Sequence, residues 1–427
     1  MNEKRRVTLS IIGFCLLAMA FVAGGIYGVQ RMGNEVRASE LEVVTGKLVE
    51  VAPESVGLES RRLARIDSIV HDYIDEGAFP GAVVGVVRDG KMVYRKAFGY
   101  RQTIDDSVAM TVDTRFDLAS LTKPVAVATS IMQLVESGEI TLGDRVDKYI
   151  PEFRGWASEE APRDTVHIRI ADLLTHTSGL PPYVMPKGIR EANPEAQLPN
   201  ADDVIRHIAK CDRWAVARTE RIYSCLNYIT LARVVEIVTG KGIDVYAHEN
   251  IFAPLGMSET CYLPSAEYAL RCAPTEKGRD GRLYRGVVHD PLARDAMGGV
   301  SGNAGLFSTL DDLSLYVAML LNGGSWSDAE ILSSRSVDVM LKPLHGYEMF
   351  DRTPGWENFA RCSQTGGDLL SSSTVGHTGA TGTSIVIDPE YDIAVIVLTN
   401  YVHSTDRRTL LDFRSKISTI VGASIRW

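Results

Sequence analysis

The chain has 427 residues, of which 45% are apolar and 23% are charged, the balance of an ordinary soluble enzyme rather than of a disordered or fibrous protein. This length is enough for one large domain or two closely joined ones. The formal net charge of -9 argues against nucleic acid as a partner, because phosphate binding requires clustered Lys and Arg.

The N-terminus combines a basic start with a long uncharged stretch. A basic run at residues 4–6 precedes residues 7–29, which carry no charged side chain; as a helix they would extend roughly 35 Å, enough to cross a bilayer. Residues 1–30 are therefore predicted to be a signal-anchor that leaves the rest of the chain outside the cytoplasm. The alternative is a cleaved signal peptide with an A-x-A site at residues 18–20, which would give a periplasmic or secreted protein.

Residues 31–56 carry mixed charge with little periodicity and are predicted to be a linker. Residues 57–427 are then the folded domain. Its first element is a predicted helix, because apolar residues recur at spacings of three and four between Leu63 and Ile74. Gly77 ends this helix.

A β-hairpin and then an apolar helix are predicted next. Apolar runs at residues 82–87 and 92–98 are separated by Asp89-Gly90, and this pattern strongly predicts a β-hairpin. Residues 117–138 predict one helix that is apolar on nearly every side. Such a helix is expected to be buried in the core.

The remaining elements suggest how the chain is organised. Helices are predicted at residues 201–210, 227–239 and 310–321, a second hairpin at residues 383–388 and 393–398, and a final helix at residues 405–421. This order predicts an α/β (α+β) fold in which both chain ends share one antiparallel sheet flanked by helices, with a mainly helical region inserted between them. A cleft between the two parts is the expected place for a site.

Ser120 and Lys123 lie three residues apart in the predicted 117–138 helix. Residues at this spacing share a helix face, so the lysine can reach the serine hydroxyl, which is a poor nucleophile until its proton is removed. Burial disfavours the ammonium form and makes Lys123 a predicted proton acceptor. The alternative, in which Ser120 is a helix cap and Lys123 faces solvent, fits less well because the flanking residues are apolar.

Two further segments contain residues that can carry chemistry. Tyr223 can act as a general acid or base beside a lysine, although a tyrosine opening a helix is more often a core or cap residue. Residues 376–382 read Gly-His-Thr-Gly-Ala-Thr-Gly, and their glycines allow the backbone to approach a ligand closely. An ordinary loop with a satisfied His377 is the alternative. His176 and Ser178 lack a G-x-S-x-G elbow and are not expected to supply the nucleophile.

Together these three segments resemble the active-site motifs of the serine β-lactamase and penicillin-binding-protein superfamily. They occur in the same order, and a tyrosine in the second motif is typical of the branch that contains class C β-lactamases, DD-carboxypeptidases and related esterases. The resemblance extends over about residues 56–424 and includes connecting stretches at residues 116–120, 170–180 and 302–308. It implies a β-lactamase/DD-peptidase-like fold.

The resemblance also implies roles for individual residues. Ser120 would attack a carbonyl to form an acyl-enzyme, Lys123 and Tyr223 would transfer the proton, and the N–H groups of Ser120 and Ala380 would form the oxyanion hole. The other substrate-binding positions would be His377, Thr378, Gly379 and Cys225.

The implied protein is an extracytoplasmic serine hydrolase acting on amide or ester bonds. It would be a carboxypeptidase, esterase or β-lactamase whose small-molecule or peptide substrates include D-alanyl peptides of the cell wall. The resemblance implies neither a metal nor an organic cofactor.

Two departures from the family pattern affect the substrate. Cys225 stands where the second motif usually has an asparagine that bonds the substrate amide, and a thiol is a weak donor and acceptor. His377 replaces the lysine of the third motif, and a histidine is only partly charged near neutral pH. Both changes weaken the prediction of efficient penicillin hydrolysis. A different function is that of a membrane-tethered, non-catalytic binder or sensor of cell-wall fragments or β-lactams; Cys225 favours it, whereas the intact Ser120, Lys123 and Tyr223 argue against it.

Five cysteines follow the predicted anchor, and because this number is odd at least one is free or pairs between chains. Export permits disulfides. Cys261 and Cys272 are close in sequence and could pair, or both could be buried free thiols. The sequence contains no C-x-x-C or H-E-x-x-H motif, so no zinc site is predicted.

Overall fold

The computed structural model describes residues 46–155, 166–192, 200–278, 280–359, 365–404 and 410–426. The predicted anchor or signal at residues 1–30, the first part of the predicted linker and Cys362 lie outside the described residues. Within the described ranges, no helix combines the length and the apolar character needed to cross a membrane.

The strands of the described residues fall into three sheets. They are β1 (Gly81–Arg88), β2 (Lys91–Gln102), β3 (Val108–Ala109), β4 (Phe116–Asp117), β5 (Cys261–Tyr262), β6 (Leu306–Ser308), β7 (Ser325–Trp326), β8 (Ala329–Glu330), β9 (Glu357–Asn358), β10 (Val375–Thr378), β11 (Ser384–Asp388) and β12 (Ile393–Thr399). The largest sheet of this part of the chain is antiparallel, with the order β3-β2-β1-β12-β11-β10-β9. Strands β4, β6 and β5 form a small sheet, and β7 pairs with β8.

The large sheet joins the two ends of the chain, as predicted. Strand β1 pairs antiparallel with β12, so that Ala82 lies opposite Thr399. Both predicted hairpins are confirmed, since β1 pairs with β2 and β11 pairs with β12. At the first turn, Asp89 and Gly90 have φ of 49° and 65°, the left-handed values that a two-residue hairpin turn requires.

Some helices of the described residues pack on the two faces of the large sheet, and others belong to the inserted region, which lies in sequence between the N-terminal and the C-terminal strands of this sheet. They are α1 (Ser60–Leu63), α2 (Arg65–Asp75), α3 (Thr129–Glu136), α4 (Ile170–Leu174), α5 (Pro186–Ala192), α6 (Ala201–Lys210), α7 (Cys225–Thr239), α8 (Ile243–Ala247), α9 (Ala266–Ala269), α10 (Pro291–Asp295), α11 (Leu310–Leu321), α12 (Ser334–Leu341) and α13 (Leu411–Ser424). Short 3-10 segments lie at Pro53–Val56, Ala119–Leu121, Val146–Lys148, Pro151–Gly155, Glu348–Phe350 and Tyr401–His403, and π-helical segments at Lys123–Ala128 and His248–Phe252.

A hydrophobic core lies on each face of the large sheet, because side chains alternate along its strands. In β1, Val83 and Val87 belong to one core, which also contains α11 and the inserted helical region. Val84 and Val86 belong to the other core, which contains apolar residues of α2 and α13. The two cores fix the sheet between the helical region and the terminal helices.

The structure corrects two predictions about the ends of elements. The predicted helix at residues 117–138 is wrong in its first half: β4 ends at Asp117, and a regular α-helix begins only at Thr129. The folded part also begins before residue 57. Leu48 is buried, and Val51 N donates to Met92 O at 3.0 Å, so the described end of the predicted linker packs against the domain.

Candidate active site

A sharp turn presents Ser120 to a cleft. Ala119 has a φ of 46°, a left-handed conformation that is uncommon for a residue with a Cβ and is often found at functional sites. Asp117 Oδ1 accepts a hydrogen bond from Ala119 N at 2.8 Å and stabilises this turn. Ser120 therefore lies on the short 3-10 segment Ala119–Leu121 between a strand and a helix, not within the regular helix that its apolar neighbours predicted.

Lys123 is fully buried beside Ser120. Its Nζ donates to Ser120 Oγ and to the backbone oxygen of Asn303, each at 2.9 Å. Burial lowers the pKa of Lys123, but the negative charges that Cys225 and Tyr223 carry when ionised raise it, and the net pKa is raised. The effect of burial on which the sequence prediction relied is therefore opposed by Cys225 and Tyr223, and the role of Lys123 as a proton acceptor stays a prediction.

Tyr223 reaches the same place from a third segment. It lies two residues before α7, which is capped by Ser224 Oγ accepting from Leu226 N at 3.2 Å. Lys123 Nζ lies 5.2 Å from the centre of the Tyr223 ring, and the charge of ionised Tyr223 contributes to the raised pKa of Lys123. Ser120 and Tyr223 line one cleft with a volume of about 510 Å³.

Three polar side chains surround the Tyr223 ring. The rings of His176 and His377 have their centres 4.4 and 6.0 Å from it, and the Arg352 guanidinium lies 5.5 Å from it. His176 Nδ1 accepts a hydrogen bond from Ser224 N at 3.1 Å. His176 therefore helps to hold the Tyr223 segment in place. Arg352 stands in no motif, and the sequence did not indicate it.

His377 is buried at the end of β10, with its Nδ1 2.9 Å from Thr378 O. Because a carbonyl oxygen only accepts, Nδ1 carries the proton, and Nε2 has no partner among the described residues. Burial, together with the positive charges of Arg352 and Lys123, lowers the pKa of His377 well below its ordinary value. His377 is therefore neutral at pH 7, whereas the sequence predicted a partly charged ring.

The loop between β10 and β11 brings Ala380 to the cleft. Gly379 N donates to Thr383 O at 2.7 Å, which closes the loop. Thr381 Oγ1 donates to the backbone oxygen of Asp117 at 2.6 Å and connects the loop to the segment that carries Ser120. Both oxyanion-hole candidates therefore belong to parts of the backbone that are hydrogen-bonded to each other.

The structure thus brings most of the predicted site residues to one cleft and adds residues that the sequence did not indicate. The cleft is lined by Ser120, Tyr223, Thr378, Gly379, Ala380, Tyr401, Leu410, Leu411 and Arg414. Of the added residues, Arg414 is the one basic side chain in this set. It lies on α13, whose sequence pattern indicated only a terminal amphipathic helix.

Cys225 begins α7 and is half-buried, close enough to Lys123 to affect its pKa. Cys225, Cys211, Cys261 and Cys272 are all free thiols. The predicted alternative of a bond between Cys261 and Cys272 is therefore wrong; of the two buried free thiols expected instead, Cys272 is buried and Cys261 is half-buried.

Comparisons with known proteins show the family of this chain. The family model described as "Beta-lactamase" matches residues 66–417. A "Putative D-alanyl-D-alanine carboxypeptidase" of Escherichia coli (strain K12) is 33% identical over 385 residues, which cover 84% of this chain and 86% of the relative. An "N-acetylmuramyl-L-alanine amidase" of Bacillus subtilis (strain 168) is 31% identical over 392 residues, covering 84% and 86%.

Solved structures support the fold. EstCE1, described as a hydrolase with promiscuous acyltransferase activity, has 23% identity and a TM-score of 0.66, and the match covers 85% of this chain and 99% of that one. A class C β-lactamase mutant has 19% identity and a TM-score of 0.66, with 86% and 98% covered. With the family model matching most of its length, the chain belongs to the beta-lactamase family and is a serine hydrolase.

Proposed function

We propose that this serine hydrolase acts outside the cytoplasm and forms an acyl-enzyme on Ser120 while cleaving an amide or ester bond, with D-alanyl peptides of the cell wall as its substrate class. The observation that carries the proposal is the 2.9 Å contact between Lys123 Nζ and Ser120 Oγ in a cleft that Tyr223 and Ala380 also line.

Lys123 and Tyr223 share the task of moving the Ser120 proton. The fully protonated pair is an ammonium beside a phenol. The pair can accept the Ser120 proton when it carries one proton fewer, either as a neutral amine beside a phenol or as an ammonium beside a phenolate. Burial favours the first arrangement, and the charge of ionised Tyr223 favours the second. Tyr223 then delivers the proton to the leaving group and later activates the water that hydrolyses the acyl-enzyme.

The developing oxyanion is stabilised by backbone donors. We infer that the N–H groups of Ser120 and Ala380, two residues that line the cleft, both donate to the oxygen of the attacked carbonyl, since preorganised donors stabilise charge without moving during the reaction. The hydrogen bond from Thr381 Oγ1 to Asp117 O helps to fix the position of one donor relative to the other.

The names of the relatives and the sequence of the N-terminus support this substrate class. The two relatives named above carry names that refer to D-alanyl-D-alanine and N-acetylmuramyl-L-alanine bonds. Both bonds are amides, and their hydrolysis releases an amino acid or a peptide. The basic start and uncharged stretch at residues 4–29 support export to the compartment where such substrates occur.

A second candidate within the same chemistry is cleavage of the N-acetylmuramyl-L-alanine amide, which the 31% identity to the B. subtilis relative favours. A non-catalytic sensor is the competing class of function. Cys225 favours a sensor, because it removes an amide-binding group from the second motif. The buried Ser120–Lys123 contact favours catalysis.

Covalent labelling separates an enzyme from a sensor that lacks a reactive serine. The full-length protein is incubated with a fluorescent fluorophosphonate, alongside Ser120→Ala and the control Ser372→Ala, whose side chain is exposed. We expect labelling of the wild type and the control and none of Ser120→Ala. Labelling that persists in Ser120→Ala, or an unlabelled wild type, would contradict the proposal. Product analysis with a D-alanyl-D-alanine pentapeptide and with N-acetylmuramyl-L-alanine then decides between the two amide substrates.

A further inference from the structure

Asp117 carries a buried carboxyl group close to the nucleophile in the chain. The residue is 3% exposed and lies at the end of β4, three residues before Ser120. Within the described ranges no lysine, arginine or histidine forms an ion pair with it. Because a buried charge without a counter-ion is unfavourable, a carboxylate at this position needs an explanation beyond the filling of space.

Both oxygens of Asp117 accept hydrogen bonds from backbone N–H groups. Oδ1 accepts from Ala119 N at 2.8 Å, inside the turn that presents the nucleophile. Oδ2 accepts at 2.7 Å from His289 N, which is 172 residues further along the chain. An asparagine or a protonated carboxyl group offers only one acceptor oxygen here and turns a donor towards the second N–H group. The two bonds therefore require the ionised carboxylate.

The bond to Ala119 holds a backbone conformation that the residue itself disfavours. Ala119 has a φ of 46°, and the left-handed region is unfavourable for a residue with a Cβ. Ser120 follows Ala119 directly, so the directions of its N–H group and of its side chain depend on this dihedral angle. Without the bond to Oδ1, Ala119 is free to relax towards negative φ and to turn both groups of Ser120.

The backbone next to this carboxylate is fixed to the loop between β10 and β11. Thr383 Oγ1 donates to Leu118 O at 3.1 Å, beside the bond from Thr381 Oγ1 to Asp117 O. These two contacts hold residues 117 and 118 against the loop that carries Ala380. The side chain of Asp117 then extends this fixed position to the turn of the nucleophile.

The protonation of Asp117 depends on pH more than that of an exposed aspartate does. Burial raises its pKa, the two backbone N–H groups and the charge of protonated His289 lower it, the charge of Asp290 raises it, and the net pKa is raised. The thiol of Cys272 also interacts electrostatically with it. The ionised form is present above this raised pKa and is lost as the pH falls through it.

We propose that Asp117 is a positioning residue of this hydrolase, whose carboxylate sets the direction in which Ser120 faces Ala380 and thereby the rate of acylation. This inference rests on the proposed function. Asp117 is not among the residues that line the cleft, so its effect is expected on the acylation step and not on substrate binding.

The test uses Asp117→Asn, which keeps the size of the side chain and removes one acceptor and the charge. Asp388→Asn is the matched control, because Asp388 is also buried and also accepts from two backbone N–H groups, Ser371 N at 2.6 Å and Glu390 N at 3.0 Å. It lies at the end of β11 that is remote from Ala380. Stopped-flow release of p-nitrophenol from p-nitrophenyl acetate gives the acylation rate constant and the half-saturating concentration. Both refer to active serines counted by exhaustive fluorophosphonate labelling, so that unfolded molecules do not contribute.

We expect Asp117→Asn to lower the acylation rate constant about 10- to 100-fold, since a displacement of about 1 Å has an effect of this size. The half-saturating concentration should change less than about threefold, and Asp388→Asn should acylate like the wild type. The difference between wild type and Asp117→Asn should shrink as the pH is lowered, because a protonated Asp117 resembles asparagine. Normal acylation by Asp117→Asn, a loss confined to the half-saturating concentration, a loss that is equal in Asp388→Asn, or a difference that does not change with pH would overturn the proposal.

Amide hydrogen exchange at Ala119 separates this inference from the proposed function, because it needs no turnover. It is measured by NMR on the full-length wild type and on Asp117→Asn, and we expect faster exchange in the variant. Equal exchange would overturn the inference whatever the activity. If exchange is faster in the variant but the wild type neither releases p-nitrophenol nor takes the label, the proposed function is at fault and the control of this turn by Asp117 stands.

Discussion

At the scale of single residues, the proposed reactivity of Ser120 depends on side chains from distant parts of the chain. The spacing of Ser120 and Lys123 and the order of the three motifs indicated residues that the structure brings close together. The protonation of Lys123 was not predictable, because its pKa depends on Cys225 and Tyr223, which approach it only after folding. Arg414 was missed for the same reason: its burial beside the cleft is a tertiary property with no local signal.

The Tyr223 hydroxyl provides a direct test of the proton path. Tyr223→Phe keeps the ring that packs against His176 and removes only the proton-transferring group, so we expect kcat for p-nitrophenyl acetate to fall by about two orders of magnitude or more. Tyr228→Phe is the matched control, because its hydroxyl donates to Leu174 O at 2.9 Å and Tyr228 is not among the residues that line the cleft. Near-normal turnover in Tyr223→Phe would remove the phenol from the mechanism.

At the scale of elements, the apolar composition of residues 117–138 indicated a helix but concealed the turn at its start. A segment that is buried on all sides has no amphipathic period, so the sequence pattern cannot locate its first turn. Asp117 instead pairs with Phe307 in a strand. Because this contact joins distant residues, the local sequence pattern could not show that the helix does not begin at residue 117. The hairpins were easier to predict, because alternation and turn residues are local signals.

Gly382 tests whether the loop between β10 and β11 positions the oxyanion hole. Its φ is 113°, and a Cβ there would lie 2.2 Å from Thr399 Oγ1 and 2.6 Å from Tyr401 Cβ. We expect Gly382→Ala to displace the loop and lower kcat/KM for p-nitrophenyl acetate about tenfold or more. Gly138→Ala is the control, since its φ is 77° but nothing lies within 4 Å of its Cβ position. If both variants retain full activity, this loop does not position the catalytic groups.

At the scale of the whole molecule, the site exists because the two ends of the chain form one sheet. The sequence predicted this from the order of hairpins and helices. It did not predict the small sheet of β4, β6 and β5, whose strands are two or three residues long and too short to show alternation. The cleft lies where β10 of the seven-stranded sheet approaches the inserted helical region that contains Tyr223.

Ile396 in the central strand β12 tests how far the stability of the domain depends on this shared sheet. Its side chain is fully buried in the core that contains α11. We expect Ile396→Ala to lower the free energy of unfolding by about 2–5 kcal/mol, as for other deletions of buried methyl groups. Ile237→Ala, at a position that is 45% exposed, should cost about 1 kcal/mol or less. Urea denaturation measures both, and equal losses would show that β12 is not central to the core.

The acyl-enzyme on Ser120 is the central claim, and trapping it during turnover tests that claim most directly. The full-length protein is mixed with diacetyl-L-lysyl-D-alanyl-D-lactate, quenched in acid within the first turnovers and analysed by mass spectrometry of its peptides. We predict the diacetyl-lysyl-D-alanyl group on the peptide that contains Ser120, and its absence from Ser120→Ala. An adduct on another residue, or continued turnover by Ser120→Ala, would contradict the account.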